Sequence, residues 1–268
     1  MYTCYLAEQD FKDAATAFSH FSALGISEAD VIDDECKGFP LSEYKATLER
    51  SGISLSTIVS VEDILSPGEV LRGAAIIRVK ALIDEMKRLG IQRLMLAPPI
   101  GREGYGEREA VLTRMLEVYG RILSHAKEQG IEVSIENQSS EHRPDSKISE
   151  VEYILESLPD LKFTLDAGNF LCVGEDVLAA YERLKGYIVR AHIKDWTCSK
   201  ENEPIGNIRR ADLSGCAIGD GILPLGELCE RMHRDGLDIA LTLEINAPRI
   251  TTDMIERSAR CLSSLVTE

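Results

Sequence analysis

Apolar residues in this chain recur with two alternating periods. Short β-branched or apolar runs of strand length are followed by longer segments with apolar residues at helical spacing. The clearest helical stretch, 73–89, carries Ile76, Ile77, Ile83 and Met86 among polar residues and stops at Gly90, a residue suited to a left-handed C-cap. A strand-like run at 91–97 follows, and Pro98-Pro99 ends it. The same pattern predicts helices at 108–129, 149–158, 177–184, 225–234 and 252–266. The strands that accompany them are predicted at 131–136, 161–166, 187–193 and 239–245. Upstream, helices at 14–24 and 41–50 and strands at 3–7, 29–32 and 53–61 complete the set. Met115, Leu116 and Tyr119 fall on a helical face that reads as packing against the strands.

Eight strands, each followed by a helix, imply βαβ units and parallel pairing. That count predicts an α/β fold of the closed (β/α)8 TIM-barrel type, with residues 1–268 as one domain, since no composition break or linker divides the chain. An open doubly wound sheet of six strands is the competing arrangement. No G-x-G-x-x-G follows the first strand, however, and the glycines at 101, 104 and 106 have the wrong spacing for a dinucleotide loop and read as a flexible connection.

Composition narrows the function. Lys and Arg number 30 against 45 Asp and Glu, a net charge of −15, which disfavours binding to phosphate backbones and predicts no nucleic-acid partner. With 44% hydrophobic and 28% charged residues the chain can build a large core. No apolar stretch of about 20 residues predicts a membrane span, and no signal-peptide pattern opens the sequence. The seven cysteines are scattered without a C-x-x-C pair, which argues against zinc fingers and a disulfide framework. A cytoplasmic protein with reduced thiols is the expectation.

Barrel active sites gather at the carboxyl ends of the strands. Here the fifth strand ends in Ser134-Ile135-Glu136-Asn137 and the sixth in Thr164-Leu165-Asp166-Ala167-Gly168-Asn169. The seventh ends in Ala191-His192-Ile193-Lys194-Asp195 and the eighth in Thr242-Leu243-Glu244-Ile245-Asn246. Four consecutive strands thus deliver Glu136, Asp166, His192 and Glu244. Each follows an apolar strand body, so three carboxylates would be withdrawn from water and would repel one another. One divalent cation shared by all four side chains resolves that conflict. Three carboxylates and an imidazole suit an octahedral ion, Mn²⁺ first, with Mg²⁺, Co²⁺ or Zn²⁺ as alternatives. Taken singly, each residue has a plainer reading: Asp166 capping the turn at Gly168, Glu136 pairing with Lys194, His192 hydrogen-bonded in the core.

At these residues the sequence resembles the sugar phosphate isomerase/epimerase family, the xylose-isomerase-like barrels. The segments that carry the likeness are Ile-Glu-Asn at 135–137, Leu-Asp-Ala-Gly-Asn at 165–169, His-Ile-Lys-Asp at 192–195 and Leu-Glu-Ile at 243–245. The Gly-x-Gly of 219–221 before the penultimate helix adds to them. The resemblance implies that Glu136, Asp166, His192 and Glu244 are metal ligands, and that Glu136 and Glu244 double as an acid/base pair on opposite faces of a bound sugar. A metal chelated by a carbonyl and an adjacent hydroxyl makes the neighbouring C–H acidic by stabilising an enediolate, and a glutamate can then remove that proton.

Two departures from the family bear on specificity. Asn169 stands where many members have His, and 194–198 read Lys-Asp-Trp-Thr-Cys where epimerases commonly present an Arg. Lys194, two residues after His192, should share its interior face, there to bind a substrate carboxylate, phosphate or enediolate oxygen, or else to neutralise Glu136 or Asp195. Asn169 and Asn246 are further candidate substrate contacts. Trp196 opens a long segment to Pro224, read as a loop over the catalytic face with Trp196 in the pocket wall, or as a solvated insertion. The resulting expectation is a metal-dependent isomerase or epimerase acting on a small sugar or polyhydroxy keto compound, with self-association into a homo-oligomer left open. A dehydratase of an inosose-like or keto substrate on the same site is the nearest alternative, and a non-catalytic sugar-binding barrel is another. The zinc-dependent apurinic endonucleases, more distant relatives, fit less well for want of histidine ligands.

Overall fold

The computed structural model describes residues 11–36, 40–100, 105–199 and 203–267. The first strand candidate, 3–7, and most of the glycine cluster after Ile100 lie outside the described residues. Seven parallel strands form one sheet in the order β1 (Glu28–Ile32), β2 (Ser54–Ser60), β3 (Arg93–Leu96), β4 (Glu132–Glu136), β5 (Lys162–Asp166), β6 (Ile188–Ile193), β9 (Ala240–Leu243). Except for the step from β6 to β9, the sheet follows chain order, as repeated βαβ units require. Between those two strands lies a separate antiparallel ribbon, β7 (Asp195–Cys198) with β8 (Leu213–Cys216).

The helices match the predicted units closely: α1 (Ala14–Ala23), α2 (Leu41–Arg50), α3 (Glu69–Leu89), α4 (Arg108–Gln129), α5 (Ile148–Ser157), α7 (Val177–Leu184), α8 (Leu225–Arg234) and α9 (Thr252–Thr267). A short α6 (Asn169–Cys172) directly follows the β5 loop. α3 begins four residues before the expected start, because Pro67-Gly68 supply the break and Glu69 a first-turn acid. α3 and α4 stop at Gly90 and Gly130, both left-handed at φ 71°. Along α4 the buried positions Met115, Val118, Tyr119, Ile122 and Ala126 form the stripe that joins the hydrophobic core. Among the described residues no helix is long and apolar enough to cross a membrane.

Strand alternation decides where the polar groups go. In β4, β5 and β6, the side chains of Val133, Ile135, Phe163, Leu165, Ala191 and Ile193 join the hydrophobic core under the helices. The alternate residues, Ser134 and Glu136, Thr164 and Asp166, Arg190 and His192, are buried on the other face. They meet one another there: the Ser134 and Thr164 hydroxyls lie 2.9 Å apart, and Arg190 Nε donates to Thr242 Oγ1 on β9 at 2.8 Å. Thr242 Oγ1 also donates to Asp30 Oδ2 on β1 at 2.7 Å, so the first and last strands of the sheet touch through their interior side chains. The sheet therefore curls into a barrel with a polar lumen.

The segment from Trp196 to Pro224, expected as a loop over the catalytic face or a solvated insertion, is in its described residues a built element. Leu171, Cys172, Trp196, Cys198, Ile208 and Leu213 make their own small apolar cluster, and the Asp195 carboxylate ties down its far end. The backbone N–H groups of Trp196 and Leu223 donate to Asp195 Oδ1 at 2.9 and 3.2 Å, and those of Gly219 and Gly221 donate to Oδ2 at 3.0 Å each. This is the physical reason for a Gly-x-Gly there: a Cβ on Gly221 would lie 2.1 Å from Asp195 Oδ1. Gly221→Ala must push the carboxylate off its amides, and we expect a loss of about 1–3 kcal/mol, read as a melting temperature several degrees lower in thermal denaturation.

Candidate metal centre

Glu136 is the last residue of β4, Asp166 the last of β5, His192 the penultimate residue of β6, and Glu244 the first residue past β9. Asp166 and His192 are paired directly across β5 and β6. One ligand atom from each of the four side chains lies within 4.8 Å of all the others. His192 Nδ1 is 2.6 Å from Glu136 Oε1 and 3.6 Å from Glu244 Oε2.

The plainer readings of Asp166 and His192 hold at the same time, through their other atoms. Asp166 Oδ1 accepts from the N–H groups of Gly168 and Asn169 at 2.9 and 2.8 Å, capping the turn, which leaves Oδ2 for the cluster. His192 turns Nε2 away from the cluster, to 3.3 Å from Asp30 Oδ2. Asn137 brackets the two loops: its Nδ2 donates to the Asp166 carbonyl at 3.0 Å while its Oδ1 accepts from the Asp166 N–H at 2.8 Å.

Lys194 corrects one expectation. Its ammonium faces neither Glu136 nor Asp195 as its closest partner, but lies 2.6 Å from Asp166 Oδ2 and 2.7 Å from Glu244 Oε1. It can reach them because residue 168 is glycine, where a Cβ would stand 2.5 Å from Lys194 Cγ and from Trp196 Nε1. Asn169 is buried, with Nδ2 donating to the Asn137 carbonyl at 2.9 Å and Oδ1 3.5 Å from the Lys194 ammonium. Asn246 is exposed beside the site and donates to Glu244 Oε1 at 3.1 Å. Trp196, by contrast, is buried in the ribbon's cluster, and its indole N–H donates to the Gly168 carbonyl at 3.1 Å. It braces the β5 loop from behind.

The electrostatics show how tightly these groups depend on each other. Burial pushes the Asp166 carboxyl up and the Glu136 and Glu244 charges add to it, so that despite Lys194 its pKa reaches about 8. Burial alone would depress His192, but the Glu136 charge and the hydrogen bonds to Asp30 and Glu136 outweigh it and raise the pKa to about 9. Burial also opposes ionisation of Glu136, yet His192 and Lys194 hold its carboxyl below the ordinary value. Glu244 Oε2 is buried with no hydrogen-bond partner, while Asp166 Oδ2 is buried against the Lys194 ammonium, 2.6 Å away. A buried carboxylate oxygen left without a donor, beside two further carboxylates and an imidazole nitrogen, is part of a donor set that fits one hard divalent cation.

A family model describing xylose isomerase-like TIM barrels matches residues 17–265. The chain belongs to that family. Solved structures share the fold at low identity. D-psicose 3-epimerase from Clostridium cellulolyticum H10, determined with D-tagatose, is 15% identical, with 100% of this chain and 97% of that one covered and a TM-score of 0.76. The IolI protein with a bound zinc atom is 15% identical over 100% and 97% of the two chains, TM-score 0.79. The probable 3-DHS dehydratase AsbF from Bacillus anthracis is 16% identical over 98% and 97%, TM-score 0.74. No curated protein sequence matches the chain.

The sequence pattern gave no role to Asp30 or Arg190, and none to Asn137 beyond its place in the Ile-Glu-Asn segment. The first two were visible as charged residues in the middle of apolar strand runs.

Two outcomes follow for metal binding. A divalent cation competes with protons for Asp166 and His192, both of which hold theirs to unusually high pH, so affinity rises as pH rises through about 8 and 9 and falls below. A calorimetric Mn²⁺ titration at several pH values checks this. Lys194→Gln removes a competing cation from Asp166 and Glu244, and Mn²⁺ should then bind roughly tenfold more tightly or better.

Proposed function

We propose that this protein is a divalent-metal-dependent isomerase or epimerase of a small sugar or polyhydroxy keto compound, with Glu136, Asp166, His192 and Glu244 as the ligands. What supports the reading is the cluster itself: four side chains from neighbouring strand ends, with a buried Glu244 oxygen that no hydrogen bond satisfies. Mn²⁺ is the ion we favour, with Mg²⁺, Co²⁺ and Zn²⁺ as alternatives suited to the same donors. When bound, the cation supplies the positive charge that acidifies a C–H beside a chelated carbonyl.

The chain's own residues do the rest. Glu136 and Glu244 flank the His192 imidazole. One takes the proton from the carbon beside the carbonyl, and the other returns a proton to the resulting enediolate. Return to the opposite face inverts the centre, and return to the neighbouring carbon moves the carbonyl. The Lys194 ammonium, buried beside Glu244, offsets negative charge on the substrate oxygens. We assign Asn246, exposed beside Glu244, and Asn169, beside Lys194, to contacts with substrate hydroxyls. Trp196 contributes by holding the Gly168 loop rather than by touching the sugar.

A dehydratase is the second reading. The observation that favours it is the Lys194–Glu244 pair at 2.7 Å, which sets a carboxyl group and an ammonium together on one side of the site, the carboxyl to pass a proton to a departing hydroxyl and the ammonium to offset the charge left behind.

The test is a panel of ketoses, keto acids and inososes with Mn²⁺ added. Solvent deuterium recovered in the sugar supports proton abstraction, whereas loss of water with a new ultraviolet chromophore supports the dehydratase. Glu136→Gln and Glu244→Gln should each reduce turnover by about 10²–10⁴-fold. Unchanged turnover in either variant removes that glutamate from the acid/base pair. Ligand binding with no turnover in the wild type supports the sugar-binding barrel instead.

A further inference from the structure

Beneath the four ligands lies a second polar tier, centred on Asp30 of β1. Asp30 is wholly buried, and its Oδ2 is a meeting point: Arg190 Nε donates to it at 2.6 Å, Thr242 Oγ1 donates at 2.7 Å, and His192 Nε2 stands 3.3 Å away. Arg190 is held in turn by Glu28 at 3.2 Å and Ser56 at 3.1 Å. The tier repeats the period of the strands. Arg190 lies two residues before His192 on β6, and Thr242 lies two residues before Glu244, so each of those ligands stands on a residue that grips Asp30. β1 itself gives no residue to the four-ligand cluster.

A neutral imidazole carries one N–H, and the nitrogen that holds it cannot ligate a cation. The ring nitrogen nearest the ligand oxygens of the cluster is Nδ1, at 2.6 Å from Glu136 Oε1. For Nδ1 to offer a lone pair, the proton must sit on Nε2, and a carboxylate, which only accepts, is the group that keeps it there. Arg190 and Thr242, both donating to Asp30, keep that carboxylate ionised and aimed.

We propose that Asp30 is a positioning residue for the metal centre: held by Arg190 and Thr242, it fixes His192 in the Nε2–H tautomer and so presents Nδ1 to the cation. The inference rests on the metal-site reading given under the proposed function. It assigns to β1, and to a residue 162 positions from His192 in sequence, control over a ligand set that lies on other strands.

Removing Asp30 alone would strand the Arg190 guanidinium in the barrel, so the variant of choice replaces the ion pair as a whole, Asp30→Leu with Arg190→Met, a change that buried pairs often tolerate. Two readouts apply to the full chain. In the Zn²⁺-loaded wild type, long-range ¹H–¹⁵N correlation should show His192 protonated at Nε2 and metal-bound through Nδ1. The opposite pattern overturns the proposal without any variant. In the folded double variant, checked by circular dichroism and thermal melting, calorimetry should show Mn²⁺ affinity about 10–100-fold weaker. Thr242→Val, which leaves the acceptor in place, should weaken it less. Equal affinity in the wild type and the double variant overturns the role of Asp30 while leaving the metal site standing. A wild type that takes up neither Mn²⁺ nor Zn²⁺ overturns the metal site and this inference together.

Discussion

Like charges forced together out of water are the constraint around which this barrel is organised. Parallel strands with a period of two send every second side chain into the lumen, and in β4, β5 and β6 those side chains are polar from the middle of the strand to its end. Glu136, Asp166 and Glu244 converge within a coordination sphere's reach of one another. Carboxylates so placed are tolerable only with positive charge among them. The structure answers with Lys194 and His192 at the upper level and Arg190 at the lower one. An aliphatic lumen would be easier to fold but could neither hold a cation nor move a proton. The helices and the hydrophobic core under them hold these charges in place.

Much of this was legible in the sequence, because the two periods that mark strands and helices are local properties. The helix stops at Gly90 and Gly130 and the strand ends at Glu136 and Asp166 emerge where the pattern predicts them. The four candidate ligands needed only one further idea, that barrel chemistry sits at carboxyl ends, and the structure brings all four together. What escaped was non-local. Asp30 and Arg190 are 160 residues apart, and neither belongs to a motif. A charge in mid-strand signals a buried partner, but the identity of that partner depends on barrel closure, which no local window contains. The ribbon escaped for the opposite reason: its strands are four residues long and sit among glycines and charges, so the alternation is too brief to stand out.

Lys194 shows how a correct placement can carry a wrong pairing. Its position two residues past His192 put it on the interior face, and the structure agrees. The acid expected to be neutralised by it was Glu136 or Asp195, yet the side chain crosses Gly168 to reach Asp166 and Glu244. Spacing along one strand specifies a face, whereas the choice among three acids on that face depends on which neighbour lacks a Cβ. The same glycine lets the Trp196 indole approach the loop that carries Asp166. A single missing carbon therefore sets both the electrostatics and the bracing of the site.

The ribbon of β7 and β8 is anchored at its base by Asp195 and at its side by Trp196, while the Ser199 N–H closes its outer end on the Asp212 carbonyl at 2.9 Å. Between those closing residues Ile208 packs into the Trp196 cluster and the Arg210 guanidinium lies 4.4 Å over the indole ring, so the tip bears on the side chain that holds the Gly168 loop. The rim and the floor of this barrel are therefore coupled: a rewritten tip that lost its apolar residue at 208 would loosen the turn that follows Asp166.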